Sequence, residues 1–219
     1  MLAGCGAETP ERGAAVAPER LVLSFSEQPL SAQVYVAEAR GLFAREGLEV
    51  TLLRRSSGKA ALDDLVAGRA DVATASETPI LFAALDERPI CILSTIAVTE
   101  RNLALVGRRD RGLLGPEDLR GKRVGVSPRT NSEFFLDVLL TYSWMRSEEL
   151  TAVDLAPEQM VQALVAGQVD AVSVWEPHLS QAQRSLGRNA VTFTGQGIYL
   201  WTWNLVTGRE LARQRPEAM

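Results

Sequence analysis

One internal repeat limits the folds that this chain can adopt. Leu65–Thr78 (LVAGRADVATASET) aligns without gaps to Leu164–Pro177 (LVAGQVDAVSVWEP) in the second half of the chain. Each copy has the pattern of a helix end, a glycine that stops the helix, and a short apolar strand. A glutamate, Glu77 or Glu176, follows each strand. A helix–glycine–strand unit that occurs twice predicts two lobes of similar plan.

Short extended runs alternate with helical patterns on both sides of this repeat. Such alternation predicts an α/β fold in which mostly parallel sheets are flanked by helices. We therefore predict a first lobe over residues 21–106, a second lobe over 107–198, and a crossing back to the first lobe over 199–219. The lobes would hinge at two crossings, near Val106–Arg109 and near Gly195–Trp203.

The composition is that of an ordinary soluble domain. Hydrophobic residues make up 46% and charged residues 23% of the chain. The net charge of −4 argues against a nucleic-acid-binding surface, which would need a basic excess. No apolar run approaches the roughly 18–20 residues that span a bilayer.

Residues 1–20 have a different character from the rest of the chain. Leu2-Ala3-Gly4-Cys5 resembles the lipobox of bacterial lipoproteins, in which the cysteine is lipidated, although only four residues precede it here. The residues that follow are rich in Ala, Pro, Gly and Glu, which predicts a flexible tether. We therefore expect a lipid anchor at Cys5 as the sole contact with a membrane, and an extracytoplasmic location.

Candidate ligand-binding residues follow the predicted strands. Open α/β sheets bind ligands beyond the carboxyl ends of their strands, and helix N-termini at those ends favour anions. The resulting set is Ser26, Gln28, Ser57, Gly58, Ser76, Glu77, Thr78, Thr130, Asn131, Ser132, Trp175 and Glu176.

Several of these residues have a second interpretation. Ser57 and Thr130 could simply cap helices. Glu77 and Glu176 could stabilise helix dipoles, or one of them could bind an amine group of a zwitterionic ligand. Trp175 could form a flat wall of the cleft or lie in the core. Trp201 and Trp203 lie on one face of a predicted strand and could pack at the hinge.

The order of several short motifs resembles the solute-binding proteins of bacterial ABC importers for sulfonates, taurine and nitrate. The motifs are Tyr35–Phe43, Glu46–Leu48, Ser57–Gly58, Ala67–Asp71, Glu77–Pro79, Asp118–Val126, Ala166–Asp170 and Val174–Pro177. The resemblance implies a two-lobed periplasmic-binding-protein type II fold that closes on a small anionic or zwitterionic solute. It further implies a monomer that docks on an ABC permease with its ATPase, without a cofactor and without nucleic acid.

The resemblance also leaves expectations to be tested. Members of this group extend beyond the position of Met219, so we expect a C-terminally truncated chain with an exposed apolar face on the first lobe. Enzymes with the same fold, such as chorismate dehydratase and a thiamine-pyrimidine synthase, are the alternative. They would need an acid–base group or a cofactor lysine, and His178 and Lys59 are the candidates nearest to a predicted site. A ligand-binding domain of a transcriptional regulator would need a helix-turn-helix segment where this chain has the tether.

Overall fold

The computed structural model describes residues 17–219, so the predicted lipidation site at Cys5 lies outside the described residues. Over this range the chain forms ten strands and eight α-helices. The strands are β1 (Glu19–Ser26), β2 (Leu48–Arg55), β3 (Val72–Ser76), β4 (Ile90–Thr99), β5 (Leu103–Arg108), β6 (Arg123–Val126), β7 (Thr151–Asp154), β8 (Ala171–Trp175), β9 (Ala190–Thr194) and β10 (Trp201–Gly208). The helices are α1 (Ala32–Ala39), α2 (Leu42–Arg45), α3 (Gly58–Val66), α4 (Glu77–Leu85), α5 (Asn131–Tyr142), α6 (Pro157–Val165), α7 (His178–Leu186) and α8 (Arg209–Gln214).

The strands form two sheets with the same plan. The first sheet has the order β2-β1-β3-β10-β4, and the second has the order β7-β6-β8-β5-β9. In each sheet the first three strands are parallel, and the fourth, β10 or β5, runs antiparallel to both of its neighbours. The repeat strands β3 and β8 are the central strands. The predicted α/β fold with two lobes is therefore confirmed, with mixed sheets.

The aspartates of the repeat explain part of this likeness. In the first lobe, Oδ2 of Asp71 accepts a hydrogen bond of 2.7 Å from the backbone N–H of Val22 in β1. In the second lobe, Oδ2 of Asp170 accepts a bond of 2.9 Å from the backbone N–H of Arg123 at the start of β6. Each aspartate thus fixes the neighbouring parallel strand against the central one.

The strand Leu103–Arg108 belongs to the second sheet, whereas residues up to 106 were predicted in the first lobe. It pairs with β8 and β9 and is buried from Leu103 to Val106. An apolar run shows that a strand is buried but does not show which sheet it joins. The first crossing between the sheets therefore lies between Thr99 and Leu103, before the predicted Val106–Arg109. The return crossing lies between Thr194 and Trp201, within the predicted region.

The first lobe has an apolar groove of about 170 Å³ on its sheet. Leu21, Leu23 and Val72 at this groove are at most 8% exposed, so the exposed apolar face expected on this lobe stays a prediction. None of the helices in residues 17–219 has the length and apolar character needed to cross a bilayer. The groove is lined by Leu21, Leu23, Phe43, Leu48, Val50, Val72, Leu93, Leu205, Ala218 and Met219.

Candidate functional site

A narrow cavity with a free volume of only about 10 Å³ lies where the two lobes meet, at the carboxyl ends of β3 and β8. Ligand pockets usually have volumes of about 300–1,000 Å³, and about 10–15 Å³ holds one water molecule, so the lobes must move apart before a solute can enter. Six of its lining residues belong to the predicted set: Gln28, Gly58, Ser76, Thr130, Asn131 and Trp175. The other four are Lys59, Pro79, Trp201 and Trp203.

Two helices begin at this cavity, one from each lobe. Gly58 is the first residue of α3 and Asn131 is the first residue of α5. The Ser57 hydroxyl caps α3 by accepting a 3.1 Å hydrogen bond from the Ala60 N–H. The Thr130 hydroxyl caps α5 by accepting one of 3.1 Å from Ser132. The caps fix two helix N-termini at the cavity, where their partial positive charge favours an anion.

Asn131 joins the two lobes beside the cavity. Its Oδ1 accepts a hydrogen bond from the Ser76 hydroxyl at the end of β3. Its Nδ2 donates to Oε1 of Glu77 at 2.6 Å and to the hydroxyl of Tyr199 in the return crossing. One buried side chain of the second lobe thus contacts the first lobe and the crossing together.

The Glu77 carboxylate is occupied by donors of this chain. Oε1 accepts from Asn131 and from the Tyr199 hydroxyl. Oε2 accepts from the Thr202 N–H at 2.9 Å and from the Thr202 hydroxyl at 3.1 Å. Burial raises the pKa of Tyr199, and the charge of Glu77 raises it further, so Tyr199 stays a neutral donor. Because both oxygens are used in this way, an amine of a ligand would have to compete with them.

Glu176, which matches Glu77 in the repeat, has a different role. It accepts hydrogen bonds from the Ser180 N–H at 3.1 Å and from the Ser180 hydroxyl at 2.7 Å. These bonds cap the first turn of α7, as the helix-dipole interpretation expects. Glu176 does not line the cavity.

Ser26 and Ser132 are buried behind the cavity and do not line it. The Ser132 hydroxyl donates to the Ser173 carbonyl at 2.6 Å and accepts from the Ser127 N–H at 3.0 Å, which fixes α5 against the second sheet. Ser26 is fully buried at the end of β1, where its N–H donates to Thr74 Oγ1 at 3.2 Å. The Ser132 side chain and the Ser26 backbone therefore support the strands and loops around the site.

Three tryptophans form an edge-to-face cluster on the cavity wall. The rings of Trp175 and Trp201 are 6.4 Å apart at 71°, and those of Trp201 and Trp203 are 6.2 Å apart at 84°. Trp175 is only 5% exposed, so it belongs to the core and to the wall at the same time. Trp201 and Trp203 were missing from the predicted set, although their position directly after the return crossing could have placed them at the cleft.

Arg129 lies next to the cavity but contacts the first lobe. It forms an ion pair with Asp86 at the end of α4, and its guanidinium lies 4.6 Å from the centre of the Phe82 ring. Both contacts join the second lobe to the first. The side chain of Arg129 therefore connects the two lobes in this structure.

Two α/β lobes that enclose a small polar and aromatic cavity between the carboxyl ends of their strands define the two-lobed periplasmic-binding-protein class. The chain belongs to the family described as NMT1/THI5 like, which it matches over residues 28–219.

Known proteins support this placement. The taurine-binding periplasmic protein of Escherichia coli (strain K12) is 26% identical over 150 residues, which cover 68% of this chain and 46% of that protein. A 4-amino-5-hydroxymethyl-2-methylpyrimidine phosphate synthase of Uromyces fabae is 24% identical over 152 residues, 69% of this chain and 44% of that enzyme. This chain spans about half the length of the curated relatives it matches.

The fold is shared with a solved solute-binding protein. The alkanesulfonate-binding protein SsuA from Xanthomonas axonopodis pv. citri, bound to MOPS, superposes with a TM-score of 0.78 at 24% identity. The match covers 93% of this chain and 70% of that structure. It establishes the two-lobed fold for this chain.

Proposed function

We propose that this protein is the extracytoplasmic solute-binding component of an ABC importer, and that it captures a small anionic or zwitterionic solute such as a sulfonate, taurine or nitrate. The observation that carries the proposal is the cavity itself. It lies between the lobes, takes its lining from both, and holds the N-termini of α3 and α5. The binding proteins for taurine and alkanesulfonates that resemble this chain support the same class of ligand.

The mechanism is capture without chemistry. The lobes are joined by two short crossings, residues 100–102 and 195–200, at which a hinge motion would open the cavity. Asn131 and Arg129 contact the first lobe from the second, so they stabilise the closed arrangement. A solute that contacts both lobes adds to these contacts and shifts the population towards closure. The closed monomer would then dock on a permease that is driven by its ATPase.

The ligand set combines the predicted residues that line the cavity with the caps that position them. Gln28, Ser76, Thr130 and Asn131 offer uncharged hydrogen-bonding groups, and Trp175 offers a flat apolar wall. Ser57 and Ser132 act through the helices that they fix. Glu77 would meet an amine only after releasing one of its present donors.

An enzyme on the same fold is the second candidate, and the similarity to the pyrimidine phosphate synthase favours it. Among the described residues, His178 at the start of α7 borders a small void against Trp175, and Lys59 lines the main cavity. The ammonium group of Lys59 is paired with Asp63 at 2.7 Å. A catalytic role would require one of these two residues to act on a bound ligand.

The location of the protein follows from the same proposal. The similarity to a periplasmic protein supports export from the cytoplasm, and the Leu2–Cys5 motif supports lipidation of Cys5. Mass spectrometry of the N-terminal peptide from the native host tests this directly. A diacylglyceryl group on Cys5 is the expected result, and an unmodified cysteine would contradict it.

A solute screen tests the binding function. Taurine, short alkanesulfonates and nitrate are added to the purified chain, and thermal unfolding and calorimetry are followed. At a solute concentration ~100 times its Kd, we expect Tm to rise by about 5–10 °C. Trp175→Ala should remove the effect, whereas Trp144→Phe, at a position that is 93% exposed, should retain it.

Mass spectrometry of the solute after incubation separates the two candidates. An unchanged solute supports capture. Conversion of the solute that depends on His178 or Lys59 would support the enzyme, and failure of all these solutes to bind would overturn the proposed ligand class.

A further inference from the structure

Two hydrogen-bond donors at the cavity have no partner among the described residues. Trp201 and Trp203 both line the cavity, and they are 2% and 1% exposed. The Nε1 atom of each indole is buried and meets no acceptor in residues 17–219. Buried indole N–H groups normally have a hydrogen-bond partner, because leaving the donor unpaired costs free energy. Two such donors, on two residues that line one cavity, are available to an acceptor that enters when the lobes open.

The chemistry of these groups defines what the acceptor must be. An indole N–H only donates, so the missing partner must present acceptor atoms. The N-termini of α3 and α5 at the same cavity favour negative charge. The nearby carboxylate of Glu77 is used by Asn131, Tyr199 and Thr202 and does not fill this role.

We infer that Trp201 and Trp203 donate their indole N–H groups to the oxygen atoms of a bound oxyanion. This inference deepens the proposed function and rests on it. It makes the two tryptophans specificity-determining residues that require acceptor atoms on the solute. Their rings are held nearly perpendicular to one another by the edge-to-face contact, so the two N–H groups are set before the ligand binds.

The ring of Trp203 is fixed further by Gly58. A Cβ at position 58 would lie 2.6 Å from Cη2 of Trp203, so glycine is required for this approach. The same residue starts α3. The start of α3 and the benzene edge of the Trp203 indole therefore lie in contact.

Nuclear magnetic resonance of the indole groups tests the inference. The chain has four tryptophans, so a ¹H–¹⁵N spectrum of the full chain shows four Nε1–H signals. Taurine and sodium nitrate are titrated separately, with calorimetry on the same samples. We expect the Trp201 and Trp203 signals to move downfield as the solute binds. The signal of Trp144, which is 93% exposed, is the internal reference and should stay in place.

Replacement of the indoles supplies the second measurement. Trp→Phe variants at 201 and 203 assign the signals, but they also remove packing. Incorporation of 3-benzothienylalanine keeps the ring shape and replaces the N–H by sulfur. We expect each such replacement to weaken binding by roughly 10- to 100-fold, the loss typical of a hydrogen bond to a charged group. The same replacement at Trp144 should leave the affinity unchanged.

The possible results separate this inference from the proposed function. Binding heat with stationary Trp201 and Trp203 signals, or full affinity in the benzothienyl variants, would overturn the inference and leave the binding function in place. No binding heat with either solute would overturn both. Movement of the two signals together with the loss of affinity supports both.

Discussion

Replacement of Glu77 by glutamine should destabilise the ligand-free protein, and the same change at Glu176 should not. Oε1 of Glu77 accepts hydrogen bonds from Asn131 and Tyr199 and a longer one of 3.4 Å from Thr78, and Oε2 accepts two from Thr202. Glutamine has an NH₂ group in place of one oxygen, and that group accepts none. Whichever way the amide turns, the NH₂ group can donate to a hydroxyl, of Thr202 or of Tyr199, but it also faces an N–H group, of Thr202 or of Asn131, that loses its acceptor.

The magnitude follows from the number and kind of the lost bonds. A hydrogen bond to a charged group contributes about 1.5–3 kcal/mol. Water can reach part of this site, because the residues around Glu77 are only partly buried. We therefore expect Glu77→Gln to lower the free energy of unfolding by about 2–4 kcal/mol. Urea unfolding of the ligand-free chain, followed by circular dichroism, measures this difference.

Glu176 is the matched control, because the repeat places it at the equivalent position. Each of its oxygens accepts one bond, and both bonds come from Ser180. In Glu176→Gln the amide oxygen can accept from the Ser180 N–H, while the NH₂ group donates to the Ser180 hydroxyl. We expect a loss below about 1 kcal/mol. Equal stability of the two variants would refute this reasoning, and a Glu77→Gln variant that changes only solute affinity would restore the amine-binding interpretation.

Two further predictions concern stability. Asp64 is 2% exposed, accepts a 2.8 Å bond from the buried Ser24 hydroxyl and pairs with Arg55 at 2.6 Å, so Asp64→Ala should lower the free energy of unfolding in urea by about 2–4 kcal/mol. The control, Asp63→Ala, breaks only an exposed i,i+4 pair and should lower it by less than about 0.5 kcal/mol. Similar losses in the two variants would contradict the role of burial. Burial raises the pKa of Tyr199, so the folded state binds the phenol proton more tightly than the unfolded state. The stability that this proton provides is therefore present below about pH 10 and is lost as the pH rises further. Tyr199→Phe should reduce the loss of stability measured between about pH 9 and ~11, and an unchanged slope would contradict the prediction.

The two-lobed topology could be predicted because it depends on local patterns that occur twice. A glycine stop, an aspartate and an apolar strand recur in both copies, and the aspartates make the same backbone bond in each sheet. These features act within a few residues or on the adjacent parallel strand. These features can therefore be recognised from the sequence alone.

The sheet to which β5 belongs could not be predicted in the same way. The run Leu103–Val106 is apolar on both faces, which fits a central strand of either sheet. Only the complete set of strands decides the matter, because β10 fills the corresponding place in the first sheet. The choice is made by residues a hundred positions later in the chain, and no local pattern contains it.

The site was predicted in part for the same reason. The rule that ligands bind beyond strand ends located Gln28, Gly58, Ser76, Asn131 and Trp175 at the cavity. It did not locate Trp201 and Trp203, because their strand runs antiparallel and presents its beginning, not its end, at the cleft.

Glu77 and Glu176 have different roles because a different residue of the crossing strand lies beside each of them. The pairing of Trp203 with Ser76 corresponds to that of Leu103 with Trp175, so Thr202 and Asn102 occupy equivalent positions. Thr202 gives both of its donors to Glu77.

Asn102 offers Glu176 no side-chain donor. Its carbonyl accepts from the Glu176 N–H at 3.0 Å, and its side-chain amide turns to Gln28 of the first lobe at 3.5 Å. Glu176 is therefore free to cap α7, while Gln28 is linked to the first crossing. The repeat therefore sets the position of each glutamate, and the neighbouring residue of the crossing strand sets which donors its carboxylate accepts from. Both crossings thus end on residues that are connected to the cavity, so a hinge motion at either one would move groups that line it.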